Sequence, residues 1–98
     1  MKLLVLRFSS IGDIVLTSPV LRCLKQQVKD AEVHVATKRA FVDLVAHSPY
    51  VDKVHALDDD IGALARSLKA EGFDHIVDLH HNLRTARIKR VLGVPATS

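Results

Sequence analysis

The sequence predicts an α/β fold: a parallel sheet of about four strands flanked by helices. Two observations carry this prediction. Short apolar or alternating runs recur at "KLLVL", "AEVHVAT", "VDKVHAL" and "FDHIVDL". They start roughly 20–30 residues apart, the spacing of β-α-β crossovers. Between them lie segments with apolar residues at helical spacing, so the order reads β-α-β-α-β-α-β-α. Right-handed crossovers then give a Rossmann-like sheet in the order 3-2-1-4.

The elements follow in turn. "KLLVL" is a continuous apolar run and suits a strand buried on both faces. "SSIGD" is its turn. Val20, Leu21, Leu24 and Val28 then mark a helix, with Pro19 as first helical residue and Ser18 as N-cap. Residues 11–17 form either a separate short helical turn or a kinked start. Val33 and Val35 alternate in strand 2. "KRAFVDLVAHSP" reads as a short amphipathic helix ended by Pro49, and "VDKVHAL" as strand 3. "DDDIGALARSLKAEG" opens with acids that suit a helix N-terminus and closes on a glycine suited to a C-cap. "FDHIVDL" is strand 4, with Asp78 near its end read as a structural acceptor for loop backbone. "HHNLRTARIKRVLG" starts the last helix, with Asn82 as its cap and Gly93 as the stop.

The composition bounds the function. The 98 residues form one small domain, 48% hydrophobic and 26% charged. Aromatics are 4% with no Trp, which argues against a stacking surface for single-stranded nucleic acid. A single cysteine, Cys23, excludes an internal disulfide and suits a reducing compartment. Its place in an apolar helical pattern reads as a buried, inert thiol. The run after Lys2 is broken by Arg7, too soon for a signal core or a membrane span. A cytoplasmic protein is expected. The basic residues Arg84, Arg87, Lys89 and Arg90 give residues 83–98 a charge of +4 against +3 for the whole chain. Basicity is therefore one local patch, which suggests a specific anionic partner rather than nucleic acid.

In such a sheet, ligands bind beyond the carboxyl ends of the strands, where the strand order reverses. Here that point lies between strands 1 and 4, so "SSIGD" and "HHNLR" are expected to face each other. The first loop is neither a G-x-G-x-x-G nor a P-loop sequence, which excludes a dinucleotide site of the usual kind. Gly12 lets the backbone approach a ligand or take a positive φ. Ser9, Ser10 and free N–H groups can hold an oxyanion or a sugar hydroxyl. Asp13 is open to two readings: an acid in the first turn of a helix, or a carboxylate that accepts a proton from an attacking hydroxyl. His80 and His81 are adjacent and lack a ligand partner at metal spacing, so no metal is expected. A hydrogen bond from one of them to a sugar or phosphate fits better. Arg84 and Arg87 recur on one helix face, and Arg84 stands at a helix start where it gains nothing from the dipole. Both suit phosphate recognition, and with His80 and Asn82 they complete the candidate ligand set on the strand 4 side.

Two segments carry a family resemblance. "LVLRFSSIGDIVLTSPVLRCLK" resembles the opening of glycosyltransferase family 9, the ADP-heptose:lipopolysaccharide heptosyltransferases. "GFDHIVDLHHNLRTARIKRVLG" resembles the second landmark of that family, a strand-to-helix segment ending in an Arg followed by Ser or Thr. The resemblance covers the whole chain in order. It implies a two-domain GT-B enzyme whose N-terminal domain holds the phosphorylated inner core of lipopolysaccharide. A C-terminal domain would hold the nucleotide sugar, and transfer would be inverting and independent of metal or other cofactor. Asp13 would be the general base. Arg7 and Arg84 would line the acceptor side, neutralising phosphates or assisting the departing diphosphate.

The resemblance places these 98 residues in the N-terminal, acceptor-side domain without the donor-binding domain, so the chain alone is expected to be inactive. Peripheral contact with the inner face of the cytoplasmic membrane is expected for such an enzyme. Strand 4 would be a bare apolar edge, which predicts self-association through it. A different reading is a stand-alone Rossmann-like module that grips an anion or other ligand with Arg84 and Arg87, without catalysis.

Overall fold

"KLLVL" becomes the central strand β1, Lys2–Leu6, because its side chains can be buried on both sides of a sheet. A computed structural model of the chain describes residues 1–8, 12, 14, 17–80 and 82–97. The remaining strands are β2 (Glu32–Lys38), β3 (Lys53–Leu57), β4 (His75–Asp78) and β5 (Ala96–Thr97). All are parallel, in the order β3-β2-β1-β4-β5. The expected order 3-2-1-4 is thus present, extended by one strand. In register, Leu6 stands between Ala36 of β2 and Asp78 of β4.

Helices cover both faces. They are α1 (Ser18–Gln27), α2 (Val42–Ala46), α3 (Ile61–Glu71) and α4 (Leu83–Leu92), and a 3-10 turn, Arg39–Phe41, leads into α2. Leu3 and Val5 of β1 pack with Leu21 of α1 and Val45 of α2. Leu4 and Leu6 pack with Leu64 and Leu68 of α3, Ile88 of α4 and Phe8 on the opposite face. The alternation of side chains along a strand produces this division. Each fully buried Leu, Ile or Phe of these two cores contributes about 1.5–3 kcal/mol.

Asp60 caps α3 by accepting from the N–H groups of Gly62 and Ala63, and Gly72 closes it at φ 73°. Gly93 closes α4 at φ 64°. Both glycines take the left-handed conformation that costs other residues energy.

Four sequence expectations are corrected. Thr17, not Ser18, occupies the N-cap of α1, with Pro19 in the first turn as expected. The reason is that the chain is already helical at Gly12 and Ile14, and Thr17 N–H donates to the Ile14 carbonyl. Cys23 is exposed: it lies two residues from the buried Leu21, which is the opposite side of a helix. "KRAFVDLVAHSP" divides into a 3-10 turn and α2, which stops at Ala46, before Pro49. Finally, β4 is not a bare edge. β5 pairs with it through Ile76↔Ala96 and Val77↔Thr97, and Ile76 N–H donates to the Pro95 carbonyl. The premise for self-association through β4 is thereby removed.

Candidate functional site

The carboxyl ends of β1, β2 and β4 converge on one cationic corner. Arg7 leaves β1 with its N–H donating to the Ala36 carbonyl of β2. Its guanidinium Nη1 donates to the Leu79 carbonyl just after β4. Leu79 in turn donates its N–H to the Leu6 carbonyl. Phe8, fully buried, meets the His80 ring edge-on, with centroids 5.5 Å apart. The residues just after β1 and β4 are therefore joined across the switch point, while most of "SSIGD", expected to face "HHNLR", lies outside the described residues.

Asp78 fixes the second loop from beneath. It is 1% exposed. Its Oδ1 accepts from the His80 N–H at 3.0 Å, the structural role expected of it, and its Oδ2 lies 2.8 Å from Lys89 Nζ of α4. Asn82 starts α4 with a capping box: its Oδ1 accepts from Thr85 N–H, while Thr85 Oγ1 accepts from Asn82 N–H. The side-chain oxygen of Asn82 is thus committed to the helix, satisfying a donor that the helix itself cannot.

Arg84 follows on the first turn and is exposed. It lines a cavity of about 510 Å³ together with Lys38, Arg39, Leu57, Asp58 and Ile61. Arg39 and Asp58 neutralise each other across this cavity through paired hydrogen bonds, one of them 3.0 Å long. That pairing raises the Arg39 pKa and lowers that of Asp58.

His80 reports the resulting field. Burial holds its imidazole below the ordinary range, and the positive charges of Arg7, Arg84 and Lys38 add to this, against the opposing pull of Asp78. The charges of Arg7, Lys38 and Arg84, from two strand ends and a helix start, therefore all act on His80. The positive end of the α4 dipole points the same way. Such a corner favours a multiply charged anion, and guanidinium groups bind phosphate oxygens with strong charge-assisted hydrogen bonds.

The candidates do not all share this corner. Arg7, His80 and Arg84 come together, with Asn82 as the cap between the last two. Arg87 does not line the cavity: its Nη2 lies over Gly62 at the start of α3, beside Asp60. Gly12 is exposed and helical, without the positive φ that was one of its expected roles, and has open space around its Cα. Asp13, Ser9, Ser10 and His81 lie outside the described residues. Lys38 and Arg39 were missed in the sequence. Their signal was "TKR" at the end of strand 2, the position that Arg7 occupies on strand 1.

Among the described residues, no helix is long and apolar enough to cross a membrane. No family model matches the chain. The chain is 28% identical over 99 residues to lipopolysaccharide heptosyltransferase 1 of Campylobacter coli, covering 95% of this chain and 29% of that protein. It superposes on the crystal structure of a family 9 glycosyl transferase from Veillonella parvula with a TM-score of 0.90, at 20% identity, over 99% of this chain and 31% of that one. Against the ADP-heptose lipopolysaccharide heptosyltransferase II of Escherichia coli the TM-score is 0.85, at 23% identity, over 97% and 29%. The chain spans under a third of the length of each. The resemblance to the family 9 heptosyltransferases, first visible in two sequence segments, is thus matched by a relative in sequence and by the fold, across nearly all of this chain.

Proposed function

We propose that this chain is the N-terminal, acceptor-side part of a glycosyltransferase with the GT-B arrangement. The complete enzyme would move a heptose from ADP-heptose to the phosphorylated inner core of lipopolysaccharide. The supporting observation is the convergence of Arg7, Lys38, His80 and Arg84 at the switch point, in a chain similar along its length to a heptosyltransferase.

In this reading the cationic corner holds a phosphate of the acceptor and so sets the position of the attacking hydroxyl. Asp13, directly after the exposed Gly12, takes the proton as that oxygen bonds to the anomeric carbon. The bond to the diphosphate breaks on the opposite side, ADP leaves, and the configuration inverts. The step is proposed to need no metal. The donor site belongs to the domain beyond these residues. The enzyme works in the cytoplasm, at the inner face of the membrane that carries its acceptor.

The test is binding of phosphorylated inner-core oligosaccharide to this chain, followed by NMR or calorimetry. Arg84→Ala removes a charge-assisted contact and should weaken binding about 10-fold. Dephosphorylated acceptor should bind the parent chain no better than phosphorylated acceptor binds the variant. Equal affinity for the two acceptors overturns the reading. In the protein that includes the donor domain, Asp13→Asn should abolish transfer while acceptor binding persists, and near-normal turnover would remove Asp13 from the mechanism.

A further inference from the structure

At the other end of the sheet, the side chains of β2, β3 and the last turn of α3 meet in a second cluster. His34 Nδ1 lies 2.9 Å from His55 Nε2, and His55 Nε2 lies 3.7 Å from Glu71 Oε2. One ligand atom from each of the three residues falls within 4.8 Å of the others. We propose that His34, His55 and Glu71 form a binding site for a zinc-like divalent cation, separate from the anion corner.

The donor set is that of zinc: two imidazole nitrogens and a carboxylate, with a fourth position left for water. Two nitrogens bound to a tetrahedral zinc at about 2.0–2.1 Å lie roughly 3.3 Å apart. The ring nitrogens here need to separate by only a few tenths of an ångström. Both rings are buried and held: they stack on one another at 5.1 Å, and each meets Phe73 edge-on. Packing thus holds the two imidazoles before the ion arrives, while the Glu71 carboxylate has to draw in, the three ligand atoms spanning up to 4.8 Å.

The neighbours complete the arrangement. Glu32 Oε2 lies 3.0 Å from His34 Nε2. A carboxylate there accepts the Nε2 proton and leaves Nδ1 with its lone pair facing His55. This is the carboxylate–histidine arrangement that orients metal ligands. Access exists too, since His55 borders an open hollow of about 690 Å³ between β3 and α3, with Lys53, Leu64 and Ser67 on its wall.

Two lysines compete with the ion. Lys53 Nζ lies 2.7 Å from Glu71 Oε2, and Lys2 Nζ lies 3.2 Å from Glu71 Oε1. Lys53 is mostly exposed, and an exposed ion pair is worth little, so an incoming cation can displace it. Lys2 also donates to the Glu71 backbone carbonyl and stays in place. The competition gives the site a distinctive response: removing Lys53 should tighten it.

The test is calorimetric titration of the metal-free chain with zinc chloride in a non-chelating buffer, with cobalt(II) absorption as a reporter of tetrahedral coordination. One equivalent should bind. Glu32→Gln, an exposed change that leaves all three ligands intact, should weaken binding 10-fold or more. Glu71→Gln should weaken it likewise, His55→Gln should abolish it, and Lys53→Met should strengthen it. His47→Gln and His75→Gln should change nothing. Circular dichroism on each variant separates lost binding from lost folding. Absence of saturable binding to the parent chain overturns the proposal. So does binding that Glu32→Gln, Glu71→Gln and Lys53→Met all leave unchanged.

Discussion

Replacing Lys89 by Met tests how the candidate anion site is held in shape. Lys89 Nζ lies 2.8 Å from Asp78 Oδ2, and the carboxylate is 1% exposed while the lysine side chain is 33% exposed. Met keeps much of the volume and removes the charge. Breaking a buried ion pair from one side typically costs about 3–5 kcal/mol, because the remaining charge stays buried. Water reaches the lysine end of this pair, so the cost falls somewhat below that range, to about 2–3 kcal/mol. In a domain of this size each kcal/mol moves the melting temperature by about 4–8 °C, which gives a fall of roughly 10–20 °C. Urea unfolding should show a lower midpoint with an unchanged slope. The double variant Asp78→Asn with Lys89→Met should recover at least half of the loss. A Lys89→Met protein within about 0.5 kcal/mol of the parent would refute the reasoning, because that is the range of ordinary surface changes.

Two further predictions concern charge and backbone. His80 should titrate below the usual histidine range, because burial and Arg7 disfavour its protonation. The native chain then binds fewer protons than the unfolded one, so this group costs stability as pH falls through the ordinary histidine range. Inorganic phosphate at the cationic corner should raise the His80 pKa and reduce that loss. An NMR titration unaffected by phosphate would show that no anion binds near the ring. Gly93→Ala places a side chain at φ 64° in the C-cap of α4, and should cost about 1–2 kcal/mol in urea unfolding. An unchanged midpoint would refute the strain.

The parts of the fold legible in the sequence are those set by local pattern. "KLLVL" is apolar at every position after Lys2, and only a strand covered on both faces satisfies that. Pro19, Asp60, Gly72, Asn82 and Gly93 mark helix starts and stops, and each stands in a first turn or at a cap. The switch point followed from strand order alone, and the residues just after β1 and β4 meet there through Arg7, Leu79, Phe8 and His80. The misreadings have equally local causes. Cys23 falls within an apolar stretch but out of phase with its buried face, which Leu21 occupies. Ala96–Thr97 is too short to show a strand period, and it becomes a strand only because β4 offers open hydrogen-bonding groups.

What sequence by itself determined is the periodicity of each element, the strand order that right-handed crossovers allow, and the presence of basic residues near the switch point. Tertiary structure decided which of those residues share a volume. Lys38 enters the cationic corner because β2 ends beside β1, whereas Arg87, one helical turn from Arg84, turns toward α3. His34, His55 and Glu71 are separated by 21 and 16 residues and form no local motif. They meet because parallel pairing places β3 beside β2 and the crossover returns α3 across the same face. The physical reason is one of range: hydrophobic period and capping act over a few residues, while charge and ligation depend on distances that only strand pairing and helix packing bring within a few ångströms.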